Sequence, residues 1–415
     1  MIQMNTWESA ITVLLLVLAG GLVVGKLTER PRIPDVAAYL LFGILVGPAV
    51  LHWVAEPGRS EVNQFILNVG ATLILFDGGR STQFAVLRQV WVSIGMLATV
   101  GVLVSALVVG AAVHWAFGMP WLFSLLLAAV LASTDPATLI PVFKRVPIEA
   151  RLQQTVESES AFNDATASVL VFTLLGLFGA AGSANFAAPV WRFIQSAGVG
   201  LLVGVACGLL CLWLVSPRGW GSFREFGSVV MLAVALGAYQ GAEALHASGF
   251  MAAFTAGVIT GNGSAFGWDL EGHTQDHTDH FFNGITMIMR MLIFVLLGTQ
   301  VDFGVVRANL WVGILAVAVL MVLARPLSVL ASVWADRRAR WRWRDVAFMF
   351  WVRETGVIPA ALAGMLAAQG IQGSDVIGAV TFMAILATIL IQATTTGIVA
   401  KALGVARPAE EEEEV

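Results

Sequence analysis

"ESESAFNDATASVLVF", residues 157–172, runs from a cluster of acids straight into an apolar helix, with Glu159, Asn163 and Asp164 in or beside the apolar stretch. If that helix crosses a bilayer, each ionised side chain near its centre costs about 2.5–3.5 kcal/mol on insertion scales. Groups that expensive are kept for a function, so this segment decides both what kind of fold surrounds it and what the fold does.

The surrounding composition settles the solvent. Of 415 residues, 58% are hydrophobic and only 12% charged, against about 45–50% and 25% in soluble domains. The chain therefore reads as an all-α polytopic membrane protein, with the lipid bilayer as its first partner. A net charge of −4 gives no reason to expect a nucleic-acid partner. Cys207 and Cys211, four apart in one apolar run, read as packing thiols. The first apolar run, Ile11–Val24, has neither a basic region before it nor a small-residue cleavage site after it, and reads as a retained span.

Apolar runs able to cross roughly 30 Å of hydrocarbon lie near residues 8–26, 33–52, 63–79, 88–114, 120–142, 151–182, 187–215, 224–246, 248–262, 277–300, 304–334, 344–369 and 374–402. This makes about thirteen transmembrane helices within a single transmembrane domain, 1–402, followed by an acidic tail, 403–415. With the N-terminus outside and the C-terminus in the cytoplasm, seventeen of the 23 Lys and Arg residues fall on inward segments and three, Arg59, Arg192 and Arg307, on outward loops. That asymmetry is what the positive-inside rule requires. Arg290, Arg325 and Arg353 remain inside predicted helices.

The chain also repeats itself. "AYLLFGILVGP" (38–48) and "AAFTAGVITGN" (252–262) share an alanine and the glycine pairs Gly43/Gly257 and Gly47/Gly261. They lie seven spans apart, and an odd offset inverts the second copy in the membrane. "STDPATLIP" (133–141) and "RETGVIPAA" (353–361) break spans five and twelve with polar residues and proline, which removes a backbone donor and clashes with the preceding turn. Spans 1–6 and 8–13 thus read as inverted repeats with span 7 as linker, a plan on which many secondary transporters build a midplane site. Small-xxx-small patterns also recur in any packed membrane helix, so the paired breaks carry more of this reading than the glycines.

Four stretches hold the polar residues: Asp77 near the inner end of span three; Thr134 and Asp135 at the break in span five; Glu159, Ser160, Asn163 and Asp164 in span six; Arg353 and Glu354 in span twelve. Ser160 and Asp164 are four apart and share a strip, as do Glu159 and Asn163 on the adjacent one. The spacing predicts a Glu159–Arg353 ion pair, tolerable in a membrane if geometry offsets desolvation. Asp164 is left as a carboxylate whose burial favours its neutral form, so that a small cation can replace the proton as counter-charge. Carboxylate, hydroxyl and carbonyl oxygens are what hard monovalent cations prefer, and Asp164, Ser160 and the Thr134 carbonyl supply them.

The combination of "STDP", "ESAFNDA" and "WVRETGVIPAAL", together with "IPDVAAYLLFGILVGP" and "MLIFVLLGTQVD", resembles the bacterial monovalent cation:proton antiporters with an Asn-Asp pair in span six, exchangers of Na+ or K+ with the NhaA/NhaP-like antiporter fold. The resemblance covers essentially the whole membrane region. It implies that Asp164 carries the proton or the cation, with Ser160 and the Thr134 backbone as ligands and Asp77 as a further ligand. Asp135 would orient the site through water, Asn163 would support it, and Glu159 and Arg353 would form a structural pair. It further implies electroneutral one-for-one exchange of Na+ or K+ (Li+ included) for H+, elevator-type alternating access, a homodimer in the cell inner membrane, a role in pH homeostasis, and no cofactor and no enzymatic step. "FDGGR" and "RETG" resemble potassium-type as much as sodium-type exchangers, which leaves the ion open.

Other readings stay beside these. Asp77 could instead cap span three and pair with Arg80. Arg325–Pro326 reads as a helix kink, and Arg290 as a structural pairing or a cation-steering charge. "EGHTQDHTDH" (271–280) reads as a solvated inward loop whose His273, His277 and His280 could also sense pH or bind a metal. The alternatives for the whole chain are an intramembrane aspartyl protease using Asp135 and Asp164 as an acid pair, for which the usual Gly-x-Gly-Asp signature is missing, and a channel or sensor without exchange.

Overall fold

In the computed structural model, residues 2–3, 7–28, 35–55, 61–134, 143, 146, 148–178, 187–269, 272–336 and 338–406 are described. Asp135, most of the span-five break and the acidic tail beyond 406 lie outside them.

The chain is helical nearly throughout, as lipid demands of a backbone that must satisfy its own polar groups. In order come α1 (Trp7–Thr28), α2 (Asp35–Val46), α3 (Glu61–Arg80), α4 (Phe84–Met96), α5 (Val102–Phe117), α6 (Trp121–Leu131), α7 (Ala150–Phe178), α8 (Ala187–Val215), α9 (Gly227–Ala244), α10 (Gly249–Gly261) and α11 (Gly272–Thr299). Then follow α12 (Phe303–Ala308), α13 (Leu310–Val319), α14 (Arg325–Ala335), α15 (Trp343–Trp351), α16 (Val357–Ala368), α17 (Ser374–Ala387) and α18 (Thr394–Leu403). Wider π turns at Leu97–Gly101, Leu320–Ala324 and Thr388–Ala393 join α4 to α5, α13 to α14 and α17 to α18. A two-residue parallel pairing of Ile2–Gln3 with Val54–Ala55 and an antiparallel bridge between Ile148 and Ala406 are the β contacts among the described residues.

A helix lies within every segment predicted to span. Among the described residues, seven helices are long and apolar enough to cross a membrane alone, while α1, α2, α6, α10 and α16 offer shorter apolar stretches. Two expectations change. The "EGHTQDHTDH" segment is not a loop from residue 272 onward: it forms the first turns of α11, with His277 and His280 exposed on them. The predicted eleventh span is interrupted at Asn309, with Asp302 capping the short α12 by accepting from the amides of Gly304 and Val305.

Two groups of helices pack against each other. One holds α1–α3 and α8–α11, the other α4–α7 and α13–α18. Within the first, α2 lies on α11 and α10 on α3 by the same device. A methyl group on Gly43 would sit 2.2 Å from the Val295 carbonyl oxygen, and one on Gly257 2.0 Å from that of Phe76. One turn on, Gly47 meets Thr299 and Gly261 meets Arg80; in return Gly298 meets the Leu40 carbonyl and Gly79 that of Phe254. No side chain fits at that approach, so the backbones touch. The glycines singled out in the sequence therefore make matching contacts in two helix pairs.

The seam between the groups is apolar. Ala71 of α3, Phe250 of α10, and Ile358, Ala361, Leu362 and Met365 of α16 line one narrow gap there. Phe162 of α7 packs edge-on to Phe254 of α10, ring centres 4.6 Å apart.

Candidate functional site

The polar cluster forms where two interrupted helices meet α7. The apolar run Trp121–Leu131 ends at Ala132, and Ser133 and Thr134 leave the helix. On the other side α15 stops at Trp351, and Val352–Gly356 is extended before α16 begins with Pro359 in its first turn, where a missing amide costs nothing. Two half-helices thus end inside the protein with carbonyls pointing on, and each end needs donors.

Arginines supply them. Arg353 donates from Nη2 to the carbonyls of Leu131 and Ala132, 2.9 Å each, capping the end of α6. Arg325 donates from Nε to Met349 O (2.8 Å) and from Nη2 to Val352 O (3.0 Å), capping α15. A cation at a helix C-terminus also offsets the negative end of its dipole. The extended stretch is held further by the π turn at Thr388–Ala393: Thr355 N donates to Thr388 Oγ1 (3.1 Å), and Gln392 Nε2 to Trp351 O (2.6 Å).

This geometry corrects the predicted ion pair. Glu159 pairs with Arg325, both side chains 3% exposed, through Nη1 to Oε1 and through Nη2 to Oε2 at 3.0 Å. Arg353 spends its guanidinium on the α6 carbonyls instead. Spacing could not separate the two, because it orders residues along α7 and does not say which distant arginine meets Glu159. Arg325 is consequently more than a kink residue, although Pro326 does open α14.

The oxygens gather where α6 ends, drawn from both strips of α7. Asn163 clamps the non-helical Thr134: its Oδ1 accepts from the Thr134 amide (3.1 Å) and its Nδ2 donates to Thr134 Oγ1 (2.7 Å). Thr134 Oγ1 in turn donates to Ser160 Oγ at 2.9 Å. The Ser133 hydroxyl donates to Asp164 Oδ1. Ser133, Thr134, Ser160, Asn163 and Asp164 are all buried. Four of the predicted residues are thus brought together, and Ser133 joins them; its place beside Thr134 in "STDP" was the available signal.

Asp77 is elsewhere. Its Oδ1 accepts from Arg80 Nη2 at 3.0 Å, Arg80 Nη1 holds Asp279 of α11, and the guanidinium lies 5.1 Å from the centre of the Phe282 ring. This is the Arg80 pairing weighed for it above. Asp135 lies outside the described residues. No cluster of three His, Cys, Asp or Glu able to hold a metal occurs among the described residues.

Comparison with known proteins places the chain in a family. The transmembrane sodium/hydrogen exchanger family model matches residues 10–402. Na(+)/H(+) antiporter 1 of Methanocaldococcus jannaschii is 28% identical, with 97% of this chain and 98% of that protein aligned. The K(+)/H(+) antiporter NhaP of Alkalimonas amylolytica is also 28% identical, over 94% of this chain and 66% of the relative. The solved structure of the sodium proton antiporter MjNhaP1 from M. jannaschii at pH 8 superposes with a TM-score of 0.81 at 27% identity, covering 95% of this chain and 99% of that one. The chain belongs to the sodium/hydrogen exchanger family.

Proposed function

We propose that this protein is a secondary antiporter that exchanges Na+ or K+ for H+, one for one, at Asp164. The observation that carries the reading is the buried group of Ser133, Thr134, Ser160, Asn163 and Asp164 at the helix break. Asp164 holds either a proton or the cation. Ser160 and the Thr134 carbonyl complete the oxygen set, Asn163 fixes Thr134, and Asp135 orients the site through water. Asp77 joins the ligands only when released from Arg80.

One carboxylate exchanging one proton for one monovalent cation moves no net charge, which is why we read the exchange as electroneutral. Glu159 and Arg325 neutralise each other and take no part in it. Relatives named as Na(+)/H(+) and as K(+)/H(+) antiporters support both ions. The apolar lining of the gap between the groups supports an elevator motion of α4–α7 and α13–α18 against the other group. The matched glycine contacts and the π turns in the helices at 84–117 and 310–335 support two inverted repeats. The arginine distribution supports an N-out, C-in orientation in the inner membrane, where we take the protein to work as a homodimer.

Purified protein in liposomes with an imposed pH gradient and an entrapped pH-sensitive dye tests this. The reading requires that Na+, K+ or Li+ dissipate the gradient and that choline does not. Gradient loss without any of the three ions, carried as a current, would favour a channel.

A further inference from the structure

The segment joining α14 to α15, together with the first turn of α15, concentrates positive charge. Arg338, Arg340, Arg342 and Arg344 are exposed within seven residues, flanked by Trp334 at 81% exposure and Trp343 at 67%. The backbone that carries them is firmly built. Asp336, buried, accepts from Ser93 N (3.0 Å), Ser93 Oγ (2.7 Å), Arg338 N (3.2 Å) and Ala339 N (3.1 Å). Trp341 Nε1 donates to Ser93 Oγ (2.9 Å), Arg151 stacks over the Trp341 ring at 4.3 Å, and Arg151 Nη1 donates to Ala339 O (2.6 Å).

Within this frame Arg340 takes a φ of 46°, a left-handed conformation that costs a residue with a Cβ about 1 kcal/mol or more. Among the described residues, the acids nearby are already engaged. Asp336 serves amides and a hydroxyl, and Asp345 and Glu149 both bind Arg342. That leaves Arg338, Arg340 and Arg344 facing outward. The two tryptophans set the depth, because an exposed indole in a membrane protein rests at headgroup level. On the orientation proposed above, the three guanidiniums therefore lie among the phosphates of the cytoplasmic leaflet.

We propose that Arg338, Arg340 and Arg344, framed by Trp334 and Trp343, form a binding surface for the headgroup of an anionic phospholipid. A planar guanidinium offers paired donors to phosphate oxygens, and anionic lipid in this leaflet attracts such segments.

The test uses the full chain in a neutral detergent, measuring Tm as phosphatidylglycerol is titrated in. Wild type should show a saturable rise that phosphatidylcholine does not produce. Changing all three arginines to Gln should weaken the apparent affinity by about fivefold per arginine, equivalent to about 1 kcal/mol each. Changing them to Lys should keep most of it. The Lys26→Gln/Arg218→Gln/Arg224→Gln control, equal in charge removed, should match wild type. An unchanged titration in the loop Gln variant, an equal loss in the control, or the same Tm rise with inorganic phosphate would each overturn the proposal. If the triple variant is not recovered folded, Arg340→Gln alone reads the same quantity, and an unchanged affinity there overturns it too.

Discussion

Glu159 is held at both carboxylate oxygens by the guanidinium of Arg325, 166 positions away in the chain, and not by Arg353. The pair joins α7 to α14 and, through Arg325's bonds to Met349 and Val352, to the end of α15. It therefore fixes one wall of the site without entering it.

Breaking a buried pair by removing one partner strands the other charge, at a cost of about 3–5 kcal/mol. Glu159→Ala and Arg325→Ala should each lower Tm sharply. Because each leaves the same pair incomplete, the double variant should fall well short of the sum. A double-mutant cycle on detergent-solubilised protein should show stronger coupling for 159 with 325 than for 159 with 353. Stronger coupling to 353 would restore the pairing expected from spacing.

Arg353 should fail differently. Arg353→Leu leaves the carbonyls of Leu131 and Ala132 without their donor, so the loss should reach the geometry of Ser133 and Thr134 directly. Transport should be lost in this variant, and Arg353→Lys, able to serve fewer acceptors, should recover part of it. Wild-type exchange rates in Arg353→Leu would contradict the capping role.

Asn163→Ala removes two hydrogen bonds to Thr134, one to its amide and one to its hydroxyl. Each buried group left unsatisfied costs about 1–3 kcal/mol. The expected result is a KM for the cation raised tenfold or more with the folded protein retained, read from initial rates of dequenching against cation concentration.

The glycine contacts predict stability effects remote from the site. With carbonyl oxygens 2.0 and 2.2 Å from the added methyl positions, Gly257→Ala and Gly43→Ala must push two backbones apart. Both should lower Tm, whereas Gly95→Ala, which meets nothing within 4 Å, should not. Thermal unfolding of the three variants side by side decides it.

How much of this was legible beforehand follows from what each signal measures. Apolar runs report burial in lipid, so segment positions came through, such as 187–215 for α8. Helix interruptions inside those runs came through only where proline or several polar residues marked them, as at 353–359. The π turn at Leu97–Gly101 carries no such mark, whereas the one at Leu320–Ala324 runs into Arg325–Pro326, read from sequence as a kink. Helical spacing put Ser160 and Asp164 on one strip of α7 near a break at Thr134, but the hydrogen bonds of Asn163 and Ser160 to Thr134 were not readable from it. Nor was the Arg325 pairing, since periodicity orders residues within one helix and says nothing of which of two distant arginines arrives beside it. The histidine segment was misread because its polarity reflects α11 extending beyond the apolar layer, which looks like a loop in composition alone.

The central claim is that one buried carboxylate alternates between a proton and a cation. Proteoliposome dequenching across Li+, Na+ and K+ with wild type and Asp164→Asn tests it most directly. The account predicts cation-dependent exchange in the wild type and none in a folded Asp164→Asn protein of unchanged elution profile. Exchange persisting in that variant would contradict it.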